Sequence, residues 1–292
     1  KLSKDPKFIN LALKVYHSLW SNQQNALISS HLGAGTDSYY EYITKGYAMT
    51  GGICDEMLQR HIKLMKEIRS QLLFTTTPNH LVGHGLRNGN KPTPVIEHLA
   101  TFVGAMVALG TFKNNPEREE DLKLASEFVK TYAETYNHFK SGIMPEQVEY
   151  NTNPKSRQAE IRMVVDDYIL RPETVESIYY LWKFTGLKQY RDYNWIIFKA
   201  INRTCRVENG FTSITKLDQQ DPEHQNKQES FFYAETLKYL YLTFSDSNLI
   251  SPTEWVFNTE AHPLRIWDQD TINKFKDLFE FENSERLKRE DK

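Results

Sequence analysis

Apolar residues recur along most of this chain at the spacing of one helix face, and polar, Gly- and Pro-rich stretches separate the runs. Phe8, Leu11, Val15, Tyr16, Leu19 and Trp20 predict a first helix behind Asp5-Pro6. After a polar loop over 21–36, Asp37-Ser38-Tyr39-Tyr40-Glu41-Tyr42 opens a helix that reaches about Met49 and breaks at Thr50-Gly51-Gly52. Leu58, Ile62, Met65 and Ile68 mark its partner, roughly Ile53 to Leu73. Residues 74–94 read as loop. Glu97-His98-Leu99 then starts a helix through Phe102, Met106 and Leu109, whose small Ala100, Gly104, Ala105 and Ala108 permit close packing. Glu117 to Phe139 is a more charged partner, and 141–167 reads as a long polar connection.

The stretch Leu170-Arg171-Pro172-Glu173-Thr174-Val175-Glu176-Ser177 reads as the start of another helix. Pro172 suits a first helical position, because its missing N–H needs no partner there. Glu173 and Glu176 are three apart and share one face. The apolar run Ile178 to Trp182 follows, and Lys188 to Arg203 forms its partner helix. A plain reading is that acids favour any helix N-terminus, by about 0.3–1 kcal/mol each. A further helix opens at Glu229 with Phe231 and Glu235, Trp255 to Glu260 has β character, and the tail from Asp268 reads as a charged, solvated helix.

These elements form a weak internal repeat. Asp37, Glu97, Glu173 and Glu229 each stand at a predicted inner-helix start, and Glu41, Glu176 and Glu235 follow at helical spacing. The fold class is therefore all-α: a tandem of hairpins with aromatic inner and charged outer helices. If the hairpins curl into a ring, the acids converge on one concave surface.

Composition narrows the chemistry. Aromatic residues make up 13% of the 292, enough for a substantial core and for stacking on sugar rings. A net charge of −2 gives no general reason to expect nucleic acid or an anionic membrane. Cys54 and Cys205 offer neither a disulfide framework nor zinc-ligand spacing, though a single bridge between them stays open. No apolar run approaches the roughly 20 residues needed to span a bilayer. Paired carboxylates beside aromatic faces suit glycoside hydrolysis, in which one carboxyl protonates the leaving oxygen and another activates water. Oxygen-rich surroundings suit a hard cation such as Ca²⁺.

Four motifs in order, Asp37 to Tyr42, Arg171 to Ser177, Glu229 to Tyr239 and Phe257-Asn258-Thr259-Glu260-Ala261-His262-Pro263, resemble those of glycoside hydrolase family 47, the class I α-1,2-mannosidases of the secretory pathway. The resemblance spans about Leu32 to Trp267. It implies an (α/α)7 barrel with a C-terminal β-hairpin plug, of which residues 1–267 supply about the last four hairpins and 268–292 a charged tail. It implies an inverting, Ca²⁺-dependent hydrolase acting on high-mannose N-glycans in the Golgi or endoplasmic reticulum, or secreted. Asp37 and Glu173 match catalytic carboxylates, and Thr259 the residue whose hydroxyl and carbonyl bind Ca²⁺. His98, Arg171, Glu176, Phe231, Glu235 and Glu260 match pocket residues. For His98 the plain alternative is a hydrogen-bonded core histidine.

The chain departs from the family pattern at four places. Glu97 stands where the family has Asp, and Thr101 and the region of Thr131 and Tyr132 lack the family's paired cysteines. Gly35 replaces the Arg of the endoplasmic-reticulum type, which leaves room for broader, Golgi-like trimming. The N-terminal part of the family domain, with the glutamate usually assigned as general acid, has no counterpart here. That predicts a missing half, either a second polypeptide left by cleavage in a loop or the absent part of a longer chain of which this is a fragment, and little activity from this chain alone. A non-catalytic mannose-glycan binder of glycoprotein quality control on the same fold is the alternative, and a protein-binding helical scaffold a more distant one.

Overall fold

A computed structural model of the chain describes residues 5–21, 24–89, 91–245 and 249–290, with side-chain environments through 279. The predicted loop at 22–23, the end of the helix beyond Ser245 and the last two tail residues fall outside the described residues. The helices are α1 Pro6–Ser21, α2 Asp37–Met49, α3 Asp55–Gln71, α4 Val103–Leu109, α5 Arg118–His138, α6 Glu173–Thr185, α7 Lys188–Thr204, α8 Leu237–Phe244 and α9 Gln269–Glu290.

Their contacts alternate in two layers. An inner row runs α2 to α4 to α6 to α8, each helix packed on the next, while α3, α5 and α7 back α2, α4 and α6 from outside. Sequence explains the division. Every residue of α4 is apolar or glycine and every one is buried, as a helix without a polar face must be. On α6, Thr174 to Leu181 are all buried. By contrast α3 and α7 bury one stripe and leave their charges in solvent.

Close approach of α4 and α6 rests on small residues and hydroxyls. A Cβ on Gly104 would lie 2.9 Å from Ser177 Oγ and 3.1 Å from Val129. Ser177 Oγ accepts from the Ala105 N–H at 2.7 Å and donates to the Thr101 carbonyl at 2.6 Å. Thr101 and Thr174 pair their hydroxyls at 2.8 Å, and Thr131 donates to the Val82 carbonyl at 2.6 Å. Hydrogen bonds thus tie the threonines at the positions where cysteines were missing. Cys54 and Cys205 are both buried and are not joined in a disulfide, so the open possibility of a bridge closes.

The all-α expectation needs amending in the connections. Residues 74–94 and 141–167 carry short strands rather than plain loop. Val95–Glu97 pairs with Gln147–Tyr150, which pairs with Ile161–Val165. Glu97 therefore ends a strand and does not open a helix; a 3₁₀ turn, Leu99–Phe102, leads into α4. Buried Ile96, Val148 and Tyr150 alternate with partly exposed neighbours, a period-2 pattern in segments read as a helix start at Glu97 and as a polar connection over 141–167. Glu229 also lies before its helix, which begins as a π-helical stretch, Phe232–Thr236. The expected β-hairpin is present, Trp255–Phe257 against Pro263–Arg265. The tail is not simply solvated: Phe275 and Phe279, one helical turn apart on α9, are buried against Trp267 in a cluster with α1 and α3.

Ser177→Ala removes the acceptor of the Ala105 N–H inside the α4–α6 contact. A buried donor left unpaired costs about 1–3 kcal/mol, so the urea midpoint should fall accordingly with an unchanged m-value.

Candidate active site

The inner row ends in a hollow, and four pieces of chain aim side chains into it. Asp37 and Glu41 come from the first turns of α2, Glu173 and Glu176 from the first turn of α6, Glu235 from the π-helical stretch before α8, and Thr259 and Glu260 from the tip of the C-terminal hairpin. Arg171, Phe231, Leu99 and Phe102 complete the wall of a cavity of about 230 Å³. A wider depression of about 480 Å³ on the face of α5 bearing Lys130, Glu134 and Asn137 brings together no comparable set of acids.

Local backbone is bent to reach this arrangement. Leu170, buried, takes φ +70° immediately before Arg171, and its carbonyl accepts from Thr236 Oγ1 at 2.7 Å. A left-handed Leu costs roughly 1–3 kcal/mol and persists only where surrounding contacts impose it. Glu235 sits in the π-helical stretch, where the wider turn re-aims a side chain that regular winding would place elsewhere. Ala261, at φ +52°, closes the hairpin tip behind Thr259 and Glu260.

Arg171 is oriented by Glu146, whose two oxygens accept from its Nε at 2.9 and 2.7 Å. Its guanidinium stands 3.7 Å from Glu173 Oε1. The other oxygen of Glu173 faces His98 Nδ1 at 3.5 Å, and neither atom has a hydrogen-bond partner among the described residues. His98 Nε2 and the Tyr136 hydroxyl are 2.7 Å apart. Burial lowers the His98 pKa to about 4, so the ring is neutral. His98 thus lies behind Glu173, fully buried, and is not among the residues that line the cavity.

Crowding of acids in a poorly hydrated space raises their proton affinity. Burial lifts Glu173 to about 8, against the pull of Arg171 and with help from Glu146 and Glu41. Glu235 rises to about 8 by burial and by the charges of Glu176, Glu173, Glu260 and Glu41. Glu176 rises to about 7, burial outweighing the opposing charge of Lys45; it also accepts a hydrogen bond from the Tyr239 hydroxyl at 2.9 Å. Lys45, one turn beyond Glu41, is buried and ion-paired with it, and lies 3.6 Å from Glu176. Burial lowers the Lys45 pKa, but Glu41 and Glu176 more than reverse this and keep it charged.

Residues 1–266 match the model of glycosyl hydrolase family 47. The chain belongs to that family. It is 38% identical over 241 residues to the human endoplasmic reticulum mannosyl-oligosaccharide 1,2-alpha-mannosidase, an alignment covering 81% of this chain and 34% of that protein. The human mannosyl-oligosaccharide 1,2-alpha-mannosidase IC is 36% identical over 264 residues, 89% of this chain and 41% of that one. Among solved structures, the alpha-1,2-mannosidase from Trichoderma reesei superposes with a TM-score of 0.83 at 28% identity, covering 91% of this chain and 62% of that chain. This family 47 chain therefore spans about a third to two fifths of the length of these curated relatives.

Sequence reasoning brought eight of the nine proposed site residues to the cavity wall, all but His98. It noticed Glu41 in the repeat without placing it in the site, and it missed Lys45, Tyr42 and Glu146. The first two had a usable signal: Glu41 and Lys45 follow Asp37 at successive four-residue steps along one helix face. Glu146 had none, since it lies in a connection 25 residues from Arg171. Glu97, longer than the family's Asp, reaches back over Gly33 and accepts from the Ala34 N–H at 3.4 Å. At Gly35, φ is +87° and a Cβ would meet nothing within 4 Å, so the position is open.

A buried acid with a raised pKa weakens the fold as pH climbs from its unfolded value, near 4.5, through its folded value. Glu173→Gln removes that penalty. Without added metal, the variant should gain stability relative to the parent between about pH 5 and pH 8, by up to a few kcal/mol. Parallel urea titrations across this range measure it; a difference that does not grow with pH contradicts the assigned burial of the charge.

Proposed function

We propose that this chain carries the sugar-binding and hydrolytic groups of an inverting, calcium-dependent α-1,2-mannosidase that trims high-mannose N-glycans. The observation that carries this reading is the convergence of Asp37, Glu173 and the other four acids, from separate elements, on one hollow beside Phe231 and Thr259. Glycoside hydrolysis needs one carboxyl to protonate the leaving oxygen and another to activate water. Asp37 and Glu173 are the pair from which water activation is drawn. Arg171 and His98 flank Glu173; burial raises its pKa, and the charge of Arg171 opposes that rise. Phe231 offers a ring to the sugar, and Glu176, Glu235 and Glu260 accept from hydroxyls or from ordered water.

A hard dication fits the donor set. Among the described residues no group of three or more His, Cys, Asp or Glu could hold a metal, so the acids form no direct cage. Thr259 instead offers a hydroxyl and a carbonyl, hard oxygen donors of the kind Ca²⁺ prefers, with water and sugar oxygens for the rest. When bound, the cation supplies positive charge that favours ionised acids and orients sugar hydroxyls.

The relatives' names place one of them in the endoplasmic reticulum, and we assign the chain to the secretory pathway. No helix of the described residues is long and apolar enough to cross a membrane. The remaining hairpins of the barrel lie outside residues 1–292, and Phe8, Leu11, Val15 and Leu19, all exposed on α1, form an apolar face. General acid catalysis contributes about 10²–10⁴-fold, so the chain without its complement should turn over very slowly.

Material containing this chain, purified without denaturation, should release free mannose from an α-1,2-linked high-mannose glycan. EDTA should abolish release, and Asp37→Asn or Glu173→Gln should lower it at least 100-fold. Denaturing intact mass spectrometry of the same material should show whether the remaining hairpins belong to the same chain or to a second polypeptide. Retained glycan with no release would favour the non-catalytic binder, and release indifferent to both substitutions would overturn the assigned carboxylates.

A further inference from the structure

The hairpin tip that carries Thr259 is held by two lysines from different inner helices. Lys45 Nζ of α2, besides its pairing with Glu41 and Glu176, donates to the Asn258 carbonyl at 3.3 Å. Lys238 Nζ of α8 donates to the Ala261 carbonyl at 2.7 Å. Internal bonds occupy the rest of the tip: the Asn258 carbonyl also accepts from the Ala261 N–H at 3.1 Å, and the His262 carbonyl accepts from the Asn258 N–H at 3.0 Å. Asn258 Oδ1 accepts from the N–H groups of Glu260 and His262 at 3.0 and 2.8 Å. Among the described residues, no hydrogen bond engages the Thr259 carbonyl. The Thr259 hydroxyl stands 3.4 Å from the Tyr42 hydroxyl.

We propose that Lys45 and Lys238 are positioning residues, a clamp that occupies the flanking carbonyls of the tip and leaves the carbonyl and hydroxyl of Thr259 as its cation-facing pair. The proposal rests on the reading of Thr259 as the residue that holds the dication. Two physical effects oppose each other here. An ammonium near a bound dication repels it, so removing a lysine that acts only by charge tightens calcium binding. A lysine that holds the loop carrying the ligand does the reverse, because loss of an outer partner lowers metal affinity by about 10–100-fold. The sign of the change therefore separates a clamp from a simple counter-charge. Lys238 is the cleaner probe: its partner is a backbone carbonyl, whereas loss of Lys45 also strands two buried carboxylates.

The test is calorimetric titration of the full chain with calcium chloride alone, with thermal unfolding recorded with and without the ion. In the parent, calcium should bind and raise the melting temperature, and Thr259→Val should abolish both. Lys238→Met should melt near the parent temperature without calcium but bind calcium about 10–100-fold more weakly, and Lys238→Arg should recover part of the loss. Lys45→Met, where it folds, should weaken binding in the same direction. No calcium response in the parent overturns the reading of Thr259 and the clamp with it. A parent response that Lys238→Met leaves unchanged or strengthens overturns the clamp and leaves Thr259 standing.

Discussion

The structure depends on keeping several carboxylates ionisable in a space with little water. Six acids share a cavity of about 230 Å³, and burial alone pushes Glu173, Glu176 and Glu235 towards their neutral forms. Such a cluster survives only with positive charge at hand, since an unpaired buried charge is far more costly than a paired one. Lys45 supplies it beneath Glu41 and Glu176, and Arg171 supplies it beside Glu173 while Glu146 holds it in place. The site thus balances burial, which favours the neutral acids, against the positive charge of Lys45 and Arg171, which favours the ionised ones.

Meeting that constraint draws on packing elsewhere. The acids converge because the inner helices lie close together, and they lie close because Gly104 and the small residues of α4 admit Ser177 of α6. Hydroxyl pairs such as Thr101 with Thr174 then satisfy polar groups inside the contact, where water cannot reach. Departures from regular backbone are spent at the rim. Leu170, the π-helical turn at Glu235 and Ala261 each sit next to a residue that lines the cavity. The rigid two-layer frame bears the strain of those turns, much as strained residues elsewhere collect at functional sites.

The hairpin tip joins the two themes. Thr259 lies more than two hundred residues from Tyr42 and Lys45 along the chain, yet contacts from α2 and α8 fix its loop at the floor of the hollow. The position of the hairpin tip and the packing of the inner row are therefore linked through a few shared hydrogen bonds.

Much of this was legible along the chain, because helical spacing and local acid pairs are short-range properties. Glu173 with Glu176, and Asp37 with Glu41, share faces simply because residues three or four apart on a helix do. The alternation of apolar inner and charged outer helices follows from which residues water will solvate. The strand at Val95–Glu97 was not legible, since three residues are too few for periodicity to outvote an adjacent helical run, and pairing with Gln147–Tyr150 decided it. Nor was the place of His98, the partnership of Arg171 with Glu146, or the burial of Phe275 and Phe279 in a charged tail. The sequence by itself determined which side chains carry charge and on which face of which helix they ride. Only tertiary structure decided which of those charges meet, because proton affinity and ion pairing depend on distances through space and on the exclusion of water, and neither is a property of neighbours along the chain.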